Sequence, residues 1–232
     1  MIAARQIIKR YGSHTVLDRA NLTVNAGECV VLTGDNGSGK TTLLHVLVGL
    51  RRPTDGEVQW KGRVLTGAGR RAWRSAREAW GFLPQQVNLP PTAMIGHLLR
   101  FHARLRRRDR AVAGHWLERV GLKDAATKRV AELSGGMRQR LGIALTFFFD
   151  PELIVMDEPT SNLDPGWRTA LADWTAEQAD RGAAVLVTSQ LEESLGPATV
   201  RRHCAAGRVV EESEHQQVRG RAEDRLRKEA EH

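Results

Sequence analysis

Two cysteines, Cys29 and Cys204, are all that this chain of 232 residues contains. Each lies in an apolar, strand-like run without a partner at metal-ligand spacing. The expectation is two reduced core thiols, not a disulfide framework or a zinc site. The eight histidines are scattered and form no metal cluster in the sequence. Long hydrophobic runs are also missing. The best candidate, Leu141 to Phe149, falls well short of the roughly 18 residues that span a bilayer. Met1-Ile2-Ala3-Ala4-Arg5 has no apolar signal-peptide core. A soluble, cytoplasmic chain is therefore expected. Aromatic residues make up only 5% of the sequence, and no basic-aromatic interleaving of the RNA-binding kind is present. Acidic residues are in deficit, 27 against 35 Lys and Arg, for a net charge of +8. The surplus clusters at Arg70, Arg71, Arg74 and Arg77, and again at Arg100, Arg104, Arg106, Arg107, Arg108 and Arg110. Nucleic acid, an anionic membrane surface and a simply solvated arginine face all remain open.

One stretch organises the rest. Gly34-Asp35-Asn36-Gly37-Ser38-Gly39-Lys40-Thr41-Thr42 fits G-x-x-x-x-G-K-[ST]. The apolar run Cys29-Val30-Val31-Leu32 precedes it as a buried strand, and Thr42 to Val48 follows as a helix. Glycines let backbone N–H groups turn inward around an anion. The helix N-terminus adds partial positive charge. Lys40 can reach the β- and γ-phosphates, and the Thr41 hydroxyl can ligate Mg²⁺.

The remaining pattern is that of an α/β protein. Ile2 to Val24 alternates like strands about a turn at Tyr11-Gly12-Ser13. Glu57 to Trp60 reads as a short strand, Arg70 to Ala79 as a polar helix, and Gly81 to Pro84 as a strand end followed by Gln85-Gln86. Three helices are then expected. The first follows Thr92, a plausible N-cap, with Ile95, Leu98, Leu99, His102 and Leu105 on one face. The second covers about Arg110 to Val120, and the third Gly135 to Phe149. The interval from Gln86 to Phe149 reads as a helical subdomain inserted into the core. Strands return at Leu153 to Met156 and Ala183 to Val187, around a helix from Trp167 to Arg181. A short helix starts at Glu192 to Leu195. Val200 to Val210 reads as a hairpin with Ala206-Gly207 at its turn. Residues 211–232 form a charged tail of mixed sign, helical and solvated or without fixed structure.

Two further motifs carry chemistry. Leu153-Ile154-Val155-Met156-Asp157-Glu158 delivers carboxylates to the C-terminal end of a strand, where ligands bind in open α/β sheets. Asp157 can hold Mg²⁺, and Glu158 can polarise a water. Leu133-Ser134-Gly135-Gly136-Met137-Arg138-Gln139-Arg140 places a natural N-cap, Ser134, before backbone N–H groups that two glycines leave open, a second helix start suited to an anion.

Together these motifs resemble the ATP-binding cassette (ABC) ATPase family over about Ile2 to Val210. The resemblance implies a P-loop NTPase core with an antiparallel β subdomain and an inserted helical subdomain that carries the signature motif. It implies ATP and Mg²⁺ as cofactors. Gly34, Asn36, Gly37, Ser38, Gly39, Lys40, Thr41 and Thr42 are then the Walker A loop, Asp157 and Glu158 the end of Walker B, and Ser134, Gly135 and Gly136 the signature. Tyr11 matches the aromatic that stacks on adenine. Gln85 matches the Q-loop glutamine that senses Mg²⁺, and Asp164 closes a D-loop match at Ser161 to Asp164. The family arrangement is a head-to-tail dimer, with each ATP between the Walker A loop of one chain and the signature serine of the other. Lys40, Glu158 and the residue at the γ-phosphate switch would be the catalytic set.

That switch is where the sequence departs. The family's histidine is replaced by Gln190, an amide that can donate a hydrogen bond but carries no charge near neutral pH. An active but slow ATPase is expected. A cassette without a membrane span implies separate polytopic permease subunits, a second cassette, and a place at the cytoplasmic face of the membrane. Residues 86–131 and 135–144 are similar to bacterial ABC-2-type exporter cassettes. The rival readings are a soluble ABC ATPase acting on nucleic acid or ribosomes, and a slow regulatory subunit. Neither the two-cassette layout nor the long insertions of the former class is present.

Overall fold

The structure, a computed structural model, describes residues 1–189 and 199–211. Gln190, the short helix expected at 192–195 and the tail beyond 211 lie outside the described residues. Two sheets frame the molecule. In the first, β1 (Ile2–Tyr11), β2 (His14–Val24), β4 (Asp55–Trp60) and β5 (Arg63–Val64) pair antiparallel in the order β2-β1-β4-β5. The β4–β5 turn uses left-handed Lys61 and Gly62, a pair that fits the twist of a tight hairpin.

The second sheet has the order β10-β9-β3-β8-β7-β6. Its central strands β3 (Cys29–Thr33), β7 (Leu153–Asp157) and β8 (Ala184–Thr188) are five residues long and buried throughout. Their near-continuous Val, Ile and Leu content is what a parallel strand covered on both faces requires. Alternate residues feed two cores. Val30 and Leu32 join Leu43, Leu44 and the β1–β2 hairpin, while Cys29 and Val31 join the opposite helical face. Burial pushes the Cys29 thiol up to about 12, so it stays protonated and inert within its strand. β6 (Trp80–Leu83) closes one edge, and the hairpin β9 (Thr199–Ala205) and β10 (Arg208–Glu211) the other. The sequence pattern shows that hairpin but not its docking. β9 lies parallel to β3, from Cys29 opposite Thr199 to Thr33 opposite His203.

α1 (Lys40–Leu47) follows the phosphate loop, and α2 (Gly69–Glu78) precedes β6. α3 (Ile95–Leu105), α4 (Arg110–Arg119) and α5 (Gly135–Phe147) fall between the adjacent strands β6 and β7. α3 departs from expectation at both ends. Its N-cap is Met94 rather than Thr92, with no side-chain bond. Backbone carbonyls supply the cap instead: Lys128 O and Ala126 O accept from the N–H groups of Ile95 and Gly96 at 3.1 and 3.0 Å. Its apolar face is shorter than the periodicity suggests, because Ile95, Leu98 and Leu99 are buried while Leu105 is 63% exposed. α5 ends at Phe147, and α6 (Pro165–Asp180) starts at Pro165 behind its cap. No helix among the described residues is long and apolar enough to cross a membrane.

Candidate functional site

The phosphate loop leaves β3 at Thr33 and turns on three left-handed glycines, Gly34, Gly37 and Gly39. Two of them also have no room for a side chain. A Cβ on Gly34 would lie 2.3 Å from Cys204 O, and one on Gly39 would lie 2.9 Å from a Leu17 methyl. The loop is therefore wedged between the β9–β10 hairpin and β2. Cys204 Sγ adds a bond to Ser38 O at 3.1 Å. Lys40 is 5% exposed, and its ammonium donates to Gly34 O at 2.6 Å and Asp35 O at 3.0 Å. Those bonds hold the lysine over its own loop and leave one of its three N–H groups for a ligand. The buried Ser38 hydroxyl has no hydrogen-bond partner among the described residues. α1 begins with no side-chain cap and no acidic residue in its first turn, which leaves its first N–H groups suited to an anion. Asn36, Thr41 and Thr42 complete this stretch at the loop tip and in the first helical turn.

The second half of the site stands at the end of β7. Asp157 is 1% exposed. One carboxylate oxygen accepts from the Thr188 hydroxyl at 2.6 Å. The other is buried with no hydrogen-bond partner among the described residues. Thr188 also accepts from the Glu158 N–H at 2.9 Å, so one hydroxyl orients both acidic residues. In register, Leu32 pairs with Thr188 and Thr188 with Asp157. Two strand spacings of about 4.8 Å then separate the root of the phosphate loop from the carboxylate. Glu158 adopts φ 47°, a left-handed conformation that costs a non-glycine residue of order 1–3 kcal/mol and is common at functional sites. Gln85, at the end of β6, donates its amide N–H to Glu158 Oε2 at 3.2 Å. Lys40, Asp157, Glu158 and Gln85 are thus gathered at the C-terminal edge of the parallel sheet.

The Asp157 carboxylate oxygen, buried and without a hydrogen-bond partner among the described residues, is a hard oxygen donor of the kind Mg²⁺ takes, and the hydroxyl of Thr41 is a second oxygen of that kind, so the residues fit that ion.

Ser134 caps α5, its Oγ accepting from Met137 N at 3.3 Å. Gly135 has open space where a side chain would project, whereas a Cβ on Gly136 would lie 3.0 Å from Asn162 O. Gln139, buried one turn further along, donates to Pro159 O at 2.9 Å. The start of α5 is therefore pinned to the loop that follows Glu158. No hydrogen bond among the described residues joins Ser134 to Lys40 or Asp157. Asp164 caps α6, accepting from Trp167 N at 3.0 Å, so within this chain its carboxylate serves its own helix. Tyr11 ends β1 with its ring 44% exposed and the Lys9 ammonium 4.9 Å from the ring centroid. Sequence reasoning missed the roles of Thr188 and Cys204, which follow from strand register. Gln139 stands in the motif that starts at Ser134, but its bond to the loop after Glu158 follows from helix packing.

The ABC transporter family model matches residues 17–161, more than half of the chain. The chain belongs to the ABC transporter family. It is an ATP-binding cassette, the ATPase component of that family. This cassette is 39% identical over 188 residues to the taurine import ATP-binding protein TauB of Sinorhizobium fredii, covering 79% of this chain and 68% of that protein. It is 35% identical over 193 residues to the Nod factor export ATP-binding protein I of Burkholderia orbicola, covering 82% of this chain and 62% of that protein. The cassette thus spans about two thirds of the length of the curated relatives it matches. A dimeric bacterial ABC transporter cassette superposes with a TM-score of 0.83 at 26% identity, covering 90% of this chain and 96% of that one. A cassette dimer in a post-hydrolysis state, bound to ADP and phosphate, gives 0.82 at 25% identity over 90% of this chain and 96% of that one.

Proposed function

We propose that this cassette binds and hydrolyses ATP as one half of a dimer, and that the cycle drives export through separate polytopic membrane subunits. The single observation that carries the reading is the pairing of Asp157, with its unpartnered buried oxygen, and Glu158 through the Thr188 hydroxyl. That pairing puts a metal-binding carboxylate and a base side by side on the strand edge that also bears the phosphate loop. Lys40 and the loop N–H groups bind the β- and γ-phosphates, and Tyr11 stacks on adenine. Asp157 and Thr41 would hold Mg²⁺, which when bound offsets charge on the phosphate oxygens. Glu158, steadied by the Gln85 amide, orients a water and takes its proton as the oxygen attacks the γ-phosphorus. The bond to the ADP oxygen breaks, leaving ADP and inorganic phosphate. Ser134 and Gly135, exposed at the start of α5, supply the missing contacts to the ATP of a second cassette, as the family arrangement implies.

Among the relatives, one is named for import and another for export. Export is favoured by the ABC-2-type character of residues 86–131 and 135–144. Purification from the native membrane tests the assignment. The expected result is recovery in the membrane fraction with a polytopic protein, together with Lys40-dependent ATP turnover. Recovery with RNA or DNA that is released steeply by salt would overturn it.

A further inference from the structure

Away from the nucleotide loop, a second cleft lies between the C-terminal end of α1 and the start of α2. Arg51, Arg52, Arg70 and Arg77 line it, and among the described residues no acidic residue does. Its floor is Trp73, whose ring packs so closely on left-handed Gly49 that a Cβ there would meet it at 2.4 Å. Trp73 stands edge-on to Trp80 at 6.2 Å, and Trp80 to Trp60 at 5.2 Å, so the floor is part of a packed aromatic cluster. Arg77 is steadied by a bond from its Nε to Trp73 O at 3.2 Å. Among the described residues, none of the four lining arginines has an ion-pair partner. On α2, Arg74 pairs with Glu78 at 3.7 Å, and both side chains are largely exposed. α2 begins without a side-chain cap and with no acidic residue in its first turn, which adds to the positive field.

Four guanidinium groups around one cleft repel one another unless an anion sits between them. Their planar donors match phosphate oxygens two at a time. α1 is eight residues long, about 12 Å at the helical rise, so its two ends separate this cleft from the ATP phosphates.

We infer that this cleft docks the phosphate headgroups of an anionic membrane surface. The choice of a lipid surface over an acidic polypeptide rests on what surrounds the arginines. Leu50, beside Arg51, is 53% exposed, and Trp73 is only half-buried. Arginine beside an exposed aliphatic side chain and a half-buried indole is the composition of interfacial membrane contacts. The site needs no permease and stands apart from the transport assignment.

Co-sedimentation of the full chain with phosphatidylcholine vesicles, with and without phosphatidylglycerol, tests it. Wild type is expected to bind only the anionic vesicles. Each basic residue near such a surface changes partition by about fivefold, so Arg51→Gln/Arg52→Gln/Arg70→Gln/Arg77→Gln is expected to weaken binding by about tenfold or more after salt screening. A control that removes equal charge elsewhere, Arg5→Gln/Arg19→Gln/Arg110→Gln/Lys128→Gln, is expected to stay within about threefold. ATP binding within about twofold of wild type reports an intact fold. Should the fourfold variant misfold, Arg51→Gln/Arg70→Gln replaces it, with an expected loss of about fivefold or more. Equal losses in both charge variants, no loss in either, or no vesicle binding by wild type would overturn the inference. So would calorimetric binding of inorganic phosphate without vesicle association, which would assign the cleft to a free anion.

Discussion

Thr188→Val removes one oxygen and keeps the shape of a side chain that is fully buried. The hydroxyl makes two bonds, donating to Asp157 at 2.6 Å and accepting from Glu158 N at 2.9 Å. Loss of a hydrogen bond to a carboxylate costs about 1.5–3 kcal/mol, and a buried N–H left unpaired costs about 1–3 kcal/mol. The two losses share one atom, so about 3–5 kcal/mol is expected, a large share of a typical 5–15 kcal/mol stability. Function is expected to suffer as well. Glu158 holds φ 47° against its own preference, and the Thr188 bond helps to keep it there. Misplacing a reacting group by about 1 Å costs on the order of 100-fold in rate. Thr188→Ser separates the two effects. It retains both bonds and loses one buried methyl, for about 1 kcal/mol and little change in turnover. Urea denaturation and steady-state phosphate release read the two quantities. If the valine variant stays within about 1 kcal/mol of wild type, or the serine variant is the worse of the two, the hydroxyl does not organise the acidic pair.

Other outcomes follow from the same geometry. Gln139→Met removes the donor to Pro159 O and is expected to cost about 1–3 kcal/mol in urea denaturation, loosening α5 from the loop after Glu158. Tyr11→Ala is expected to weaken ATP by about 1–3 kcal/mol in a titration with a fluorescent analogue, and Tyr11→Trp to retain affinity. The Arg119 hydrogen bond holds the Glu177 carboxyl below its ordinary range, aided by the charge of Arg119 and Arg181. A lowered folded value means stability that is present above the unfolded value and lost as pH falls through the folded one. Glu177 is 33% exposed, so Glu177→Gln is expected to cost at most about 1 kcal/mol at neutral pH. That difference should vanish well below about pH 4, as denaturation at both pH values would show.

The parts legible in sequence are those where local chemistry decides. Strand, glycine loop and helix at 29–48 are spelled out by apolar run, left-handed glycines and periodicity. The buried strands at 153–157 and 184–188 show themselves by β-branched content alone. What stayed hidden depends on partners distant in sequence. β9 joins β3 from about 170 residues away, and nothing in Thr199–Ala205 names its neighbour. Thr188 comes to bond both the Asp157 carboxylate and the Glu158 backbone N–H only because β8 lies between β3 and β7. The start of α3 shifted to Met94 because the 126–128 backbone caps it, a contact with no side-chain signal. Asp164 is an acidic residue that the motif assigns to a nucleotide site, yet it caps α6, since Asp before Pro is also a strong helix-start signal.

Glu158→Gln, read as phosphate release in Mg²⁺ and ATP alongside ATP affinity, asks whether this carboxylate activates the attacking water. The substitution keeps size and one hydrogen-bonding oxygen while removing the base. General-base assistance contributes about 10²–10⁴-fold, so turnover is expected to fall by that factor while ATP still binds. Hydrolysis within about twofold of wild type would mean that the carboxylate beside Asp157 has no part in activating water.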